Sequence, residues 1–138
     1  MFDHCLYFNT VALARRLERE WHAAFKAYGL TPSQAFLLRA VLDQPGLLQR
    51  ELAAHLAIAR PTVTRLLDGL ADKGLVERLG TENDGREYAI HPTAAGREMQ
   101  AALNEASGKV TQRLKKKLGV GAFTQTVGQV RGVRSALE

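Results

Sequence analysis

The chain has one cysteine, Cys5, in 138 residues. An internal disulfide is therefore impossible, which excludes a small secreted scaffold held by cross-links. No stretch approaches the roughly eighteen consecutive apolar residues that a spanning helix needs, so no membrane partner is expected. Residues 1–30 lack the basic start, unbroken apolar run and small-residue cleavage site of a secretion signal. The expected setting is a reducing cytoplasm. There is no Gly-rich phosphate loop, no nucleophile elbow and no acid-base pair within one motif, so an enzyme is not expected and no catalytic residue is assigned. His4, His22, His55 and His91 are scattered, and no His/Cys/carboxylate cluster has ligand spacing, so neither metal nor cofactor is implied. Internal repeats and low-complexity linkers are also missing.

What remains is a chain with 46% hydrophobic residues, enough for one core and too short for two. Its formal net charge is +5, and the distribution of that charge is more informative than its total. Residues 47–92 hold six Lys/Arg against seven Asp/Glu, a net of −1. Residues 93–138 hold eight against three, a net of +5, including Lys115, Lys116 and Lys117. A basic balance alone is thus weak support for nucleic-acid binding. Segregation of Arg60, Arg65 and Arg86 from the acids would be needed.

Apolar residues at threes and fours from Tyr7 to Ala27 mark an amphipathic helix, closed by Gly29 and Leu30. Thr31-Pro32-Ser33-Gln34 combines an N-cap hydroxyl, an early proline and a third-position glutamine, which starts a helix running to about Asp43. A short helix from about Leu48 to Leu56 follows, then a tight turn and a second helix beginning near Arg60. On that helix Val63, Leu66, Leu67 and Leu70 form one stripe, with Pro61, Thr64, Arg65, Asp68 and Asp72 opposite. Gly74 suits the left-handed position after a helix. Leu75 to Leu79 and Arg86 to Pro92 suit short strands around the turn Asn83-Asp84-Gly85. Thr93 caps a long helix through Met99, Leu103, Ala106, Val110 and Leu114, with Gly108 as a candidate bend. A last helix from about Ala122 carries Phe123, Val127, Val130, Val133 and Leu137.

This order is a winged helix-turn-helix. The fold expected is mainly α with a small β-hairpin wing, a single domain over 1–138, with the winged helix at about 31–92. The flanking helices, about 5–28 and 93–138, carry more apolar surface than such a core requires. They are expected to dimerise, which would hold two recognition helices about 34–36 Å apart for a palindromic duplex.

The ordered set of motifs resembles the MarR family of bacterial transcriptional regulators over almost the whole chain. It runs through Gly29-Leu30-Thr31-Pro32-Ser33-Gln34, Gln49-Arg50-Glu51-Leu52-Ala53 and Pro61-Thr62-Val63-Thr64-Arg65-Leu66-Leu67-Asp68. It continues with Lys73-Gly74-Leu75-Val76-Glu77-Arg78, Asp84-Gly85-Arg86 and Thr93-Ala94-Ala95-Gly96. The resemblance implies a homodimer on pseudo-palindromic operators in a bacterial or archaeal cytosol, usually a repressor released by a small phenolic or other aromatic effector or by oxidation. Three positions depart from the pattern. Ala59 stands where a serine is usual, Leu48 replaces a hydroxyl cap, and Gly69 occupies a common arginine position.

The candidate DNA-contacting residues are Gln49 and Arg50 at one helix start, Arg60, Pro61, Thr62, Thr64 and Arg65 on the recognition helix, and Asp84 and Arg86 at the wing. Arginine pairs with guanine O6 and N7, and short hydroxyls reach bases or phosphates. The bland alternatives are a solvated helix start with Arg65 paired to Asp68 or Asp72, and an ordinary hairpin tip. A small-molecule cleft would draw on Tyr7, Val11, Trp21, Phe25 and Phe36, whose alternative is plain core. Cys5 is read either as a redox site, as in the hydroperoxide-sensing branch, or as an inert interface cysteine. The rival function is a winged-helix protein-interaction module, which the net −1 of residues 47–92 keeps open.

Overall fold

The apolar threes and fours of the N-terminal segment wind into α1, Leu6–Phe25, in a computed structural model that describes residues 1–81 and 87–138. Cys5 caps α1, its Sγ accepting from Phe8 N at 3.5 Å. A 3-10 turn, Lys26–Tyr28, ends at Gly29, whose φ of 69° is the left-handed conformation a glycine takes at least cost. The capping box then forms as its residues dictate. Thr31 Oγ1 accepts from Gln34 N at 3.2 Å and Thr31 N donates to Gln34 Oε1 at 3.1 Å, opening α2, Pro32–Asp43.

Next come α3, Gln49–Leu56, and α4, Arg60–Asp72. The wing is an antiparallel pair, β1, Val76–Gly80, and β2, Tyr88–Pro92, in register Val76 to Pro92 through Gly80 to Tyr88. The chain continues with α5, Ala94–Glu98, α6, Gln100–Leu118, and α7, Val120–Leu137. The core lies under the winged helix. Leu37, Leu38 and Val41 of α2, Leu52 of α3, and Val63, Leu67 and Leu70 of α4 are fully buried with Ile90 of β2 and Leu103 of α6. The stripe expected on α4 is the one that turns inward.

Three features differ from the sequence expectation. The wing has a third, very short edge: Ile90 N donates to Leu47 O at 2.9 Å and Gly46 N to Ile90 O at 2.8 Å, and Leu48 bridges Ala89. Secondly, the helix after Thr93 is continuous through Gly108 and breaks at Met99 instead. There Met99 N bonds to Gly96 O, a tightened three-residue step that separates α5 from α6. Thirdly, the last helix starts at Val120, two residues before Ala122, directly after Gly119 at φ 89°.

Gly96 shows why a small residue follows the Thr93 cap. A Cβ built there would lie 2.3 Å from Leu75 O, a backbone atom that cannot swing aside. Gly96→Ala is therefore expected to lose about 1–3 kcal/mol of stability through overpacking, read as a lower urea midpoint at unchanged slope. An unchanged midpoint would show that α5 can slide away from β1 freely.

The helices flanking the winged helix are differently placed. α1 and α6 pack together, with Val110 buried and Glu20 of α1 between Arg16 at 2.8 Å and Arg113 at 3.9 Å. No residue of α7 is buried. Its apolar stripe, and Leu6, Tyr7 and Leu13 on α1, stand in the open on the single chain.

Candidate nucleic-acid interface

The start of α4 is built without a side-chain cap, as Ala59 dictates. The turn before it is tight. Ala57 sits at φ 54°, ψ 44°, the one non-glycine with positive φ among the described residues. An L-residue there carries a steric cost of about 1–2 kcal/mol. Ala57→Gly removes that cost while loosening the unfolded chain, so a net gain of up to about 1 kcal/mol is expected, seen as a raised melting temperature. A lower melting temperature would mean that the Ala57 methyl makes contacts worth more than the strain.

α3 begins with half a capping box. Leu48 offers no side-chain acceptor, but Leu48 N donates to Glu51 Oε1 at 3.0 Å. This places Gln49 beside α4, where Gln49 Nε2 donates to Thr64 Oγ1. Thr64 Oγ1 in turn donates to Arg60 O at 3.1 Å. From the other side, Arg78 of β1 reaches α4 with Nη2, donating to Thr64 O at 3.2 Å and to Asp68 Oδ1 at 2.7 Å. Arg50 pairs with Glu87 at 3.3 Å, tying α3 to the base of the wing. These side chains border a concavity of about 630 Å³ between α3, α4 and the wing.

The candidate residues therefore fall into distinct groups. Arg60, Pro61 and Arg65 are exposed on the outer face of α4, and Arg60 and Arg65 make no ion pair among the described residues. Asp68 is turned toward Arg78, so the pairing of Arg65 with Asp68 considered from sequence does not form. Thr62 is half-buried. Gln49, Thr64 and Arg50 bond to other groups of the same chain, with Thr64 and Arg50 still exposed. Asp84 and Arg86 lie outside the described residues. Two of the acids of residues 47–92, Asp68 and Glu87, face Arg78 and Arg50, while Arg60 and Arg65 stand exposed on α4. Arg78 was visible in the sequence only as part of a family motif, because its bracing role depends on strand-to-helix packing.

The aromatic residues considered for a cleft separate similarly. Trp21 and Phe36 border an open groove of about 450 Å³ with Ala14, Leu17, Leu56 and Ile58. Phe25 is fully buried, packed edge-on against Phe36 at 6.1 Å, and is core. Tyr7 and Val11 are not among the groove's lining residues, and Tyr7 is 77% exposed. Cys5 is exposed on the single chain. No group of three His, Cys, Asp or Glu that could hold a metal ion occurs among the described residues.

This arrangement has known counterparts. Residues 28–87 match the sequence profile of the MarR family. An HTH-type transcriptional repressor of Mycobacterium bovis, Mb2911, is 32% identical over 102 residues, spanning 71% of this chain and 73% of that one. A transcriptional regulatory protein assigned to the hcr operon of Thauera aromatica is 29% identical over 102 residues, spanning 68% of this chain but only 61% of that protein's length. Among solved structures, the transcriptional repressor CouR bound to a 23-mer DNA duplex superposes with a TM-score of 0.88 at 24% identity, covering 96% of this chain and 94% of that one. The chain belongs to the MarR family of winged helix-turn-helix, DNA-binding transcriptional regulators, which are not enzymes.

Proposed function

We propose that the protein is a cytoplasmic repressor that binds a pseudo-palindromic duplex as a homodimer, inserting α4 of each subunit into successive major grooves. The observation that carries this reading is the exposed Arg60 and Arg65 on the first two turns of α4, without an ion pair among the described residues, on a helix whose other face is locked into the core. Arg60, Pro61, Thr62 and Arg65 are the proposed groove residues, with Gln49, Arg50 and Thr64 setting α4 against α3 and the flanking phosphates. Asp84 and Arg86 are assigned to the wing contact on sequence resemblance. The winged helix at about 31–92 and the flanking helices at about 5–28 and 93–138 act as one domain, the latter dimerising through the open stripes of α1 and α7.

A small aromatic effector in the groove between Trp21 and Phe36 is the proposed release signal, with oxidation of exposed Cys5 as the second route. The groove supports this because it also touches Leu56 and Ile58, which bracket the turn into α4. A switch from 99% to 1% competent protein requires roughly a 10⁴-fold preference of the effector for the incompetent state. Trp21 is the only tryptophan, so its fluorescence reports groove occupancy directly.

The test is selection of genomic fragments by the purified protein at two salt concentrations, beside an Arg60→Ala, Arg65→Ala variant. Enrichment of a pseudo-palindrome by the natural protein alone supports the regulator. Recovery of the same unpatterned fragments by both, or of none, favours the protein-interaction module that the net −1 of residues 47–92 allows.

A further inference from the structure

One guanidinium makes the side-chain hydrogen bonds between α2 of the winged helix and α6. Arg39 projects from α2, and its Nε donates to Asn104 Oδ1 at 2.8 Å while Nη1 donates to Ser107 Oγ at 3.1 Å, both on α6. Ser107 is 6% exposed, and the same oxygen accepts from Trp21 Nε1 of α1 at 3.0 Å. A single buried hydroxyl thus receives one donor from each of two neighbouring helices. The guanidinium also sits 5.0 Å from the ring centroid of Phe36, which is itself braced edge-on by Phe25.

Two further observations say what this arginine is for. Among the described residues no carboxylate lies within ion-pair distance of Arg39. Burial holds its pKa below the ordinary arginine value, so the site opposes the charge and gives it no counter-ion. What the site uses is the planar fork, which fixes direction in a way an ammonium does not. Among the described residues no other side-chain hydrogen bond joins α2 to α1 or α6. The rest of that junction is apolar contact, which is non-directional and lets packed helices roll and slide. α2 in turn packs on α3 and α4, so its angle is their angle.

We propose that Arg39 is the positioning residue that sets the orientation of the winged helix on α1 and α6, and through it the separation of the two α4 helices on a two-part DNA site. The second half of this statement rests on the dimeric DNA-binding reading above; the first half does not.

The experiment compares the natural chain with Arg39→Met, which keeps an unbranched stem over Phe36 but no donors, and Arg39→Lys, which keeps charge but no fork. Asn104→Ala, at an exposed position, removes one bond only and keeps the test available if Arg39→Met does not fold. In a Cys5→Ser background, spin labels at His55→Cys on α3 and Gln112→Cys on α6 report the orientation within one chain, with labelled chains diluted into excess unlabelled chains. Duplexes carrying one half-site, or two at varied spacing, report its consequence.

Arg39→Met and Arg39→Lys are both expected to broaden the intrachain distance distribution. Affinity for two correctly spaced half-sites should fall about tenfold and the spacing optimum should flatten, while binding to one half-site stays within about twofold. An unchanged distribution overturns the proposal. So does full rescue by Arg39→Lys, which would make charge the operative property, or an equal loss on one and two half-sites, which would make the role merely structural. If the natural chain binds no duplex, the DNA-binding reading fails, and the distance distribution alone decides the orientation claim.

Discussion

The Arg60→Ala, Arg65→Ala variant is expected to lose roughly thirtyfold or more in affinity for the preferred duplex while melting at the natural temperature. A well-made arginine-guanine pair contributes about 1–3 kcal/mol of discrimination, so two lost contacts span about thirtyfold to about twenty-thousandfold. The fold is spared because both side chains are exposed and neither has an ion-pair partner among the described residues to leave stranded. Salt dependence separates the two kinds of contact. Each lost phosphate contact flattens the log-log salt slope by about 0.9, whereas a lost base contact leaves the slope and erases preference among sequences. Binding titrations at several salt concentrations on preferred and scrambled duplexes therefore assign each arginine. Unchanged affinity for both duplexes at every salt would remove α4 from the interface altogether.

That prediction depends on a segregation of charge that the sequence could not display. Residues 47–92 sum to −1, and nothing in their order says that Asp68 turns to Arg78 or Glu87 to Arg50. Local signals were readable because the physics is local. The Thr31 and Gln34 box, the Thr93 cap and the left-handed Gly74 each involve atoms a few residues apart, and all are present. The buried stripe of α4 was readable for a similar reason, since one face of a 3.6-residue period must find the core. Long-range features were not. The third edge of the wing joins Leu47 to Ile90, and its residues look like an ordinary loop until β2 lies beside them. The junction of Trp21, Arg39 and Ser107 brings together three helices whose residues carry no shared motif. The break falls at Met99, where Met99 N bonds to Gly96 O, and not at Gly108, the one candidate bend that the sequence offered. Among the sites, the exposed face of α4 was legible, whereas membership of the groove was not, because helical spacing does not distinguish Phe25 in the core from Phe36 at its edge.

Charging the face of α7 should have the other large effect. Val120, Val127, Val130, Val133 and Leu137 are 63%, 42%, 47%, 43% and 79% exposed, a row of apolar side chains along one helix with nothing over it on the single chain. Large contiguous apolar surfaces of this kind are what interfaces cover. The Val127→Asp, Val130→Asp variant places carboxylates in the proposed dimer contact, where each buried and unpaired charge costs about 3 kcal/mol or more. Symmetry doubles the number, so the dimer dissociation constant is expected to rise at least about a thousandfold. The subunit should still fold, because α7 contributes no buried residue and the core is complete without it. Sedimentation is then expected to give half the natural mass, with the far-ultraviolet spectrum retained and the two-half-site duplex bound no better than a single half-site. Natural mass in the variant would place the dimer contact elsewhere. A monomeric variant that still bound the two-part duplex at natural affinity would sever dimerisation from recognition, and with it the argument that the flanking helices exist to space α4.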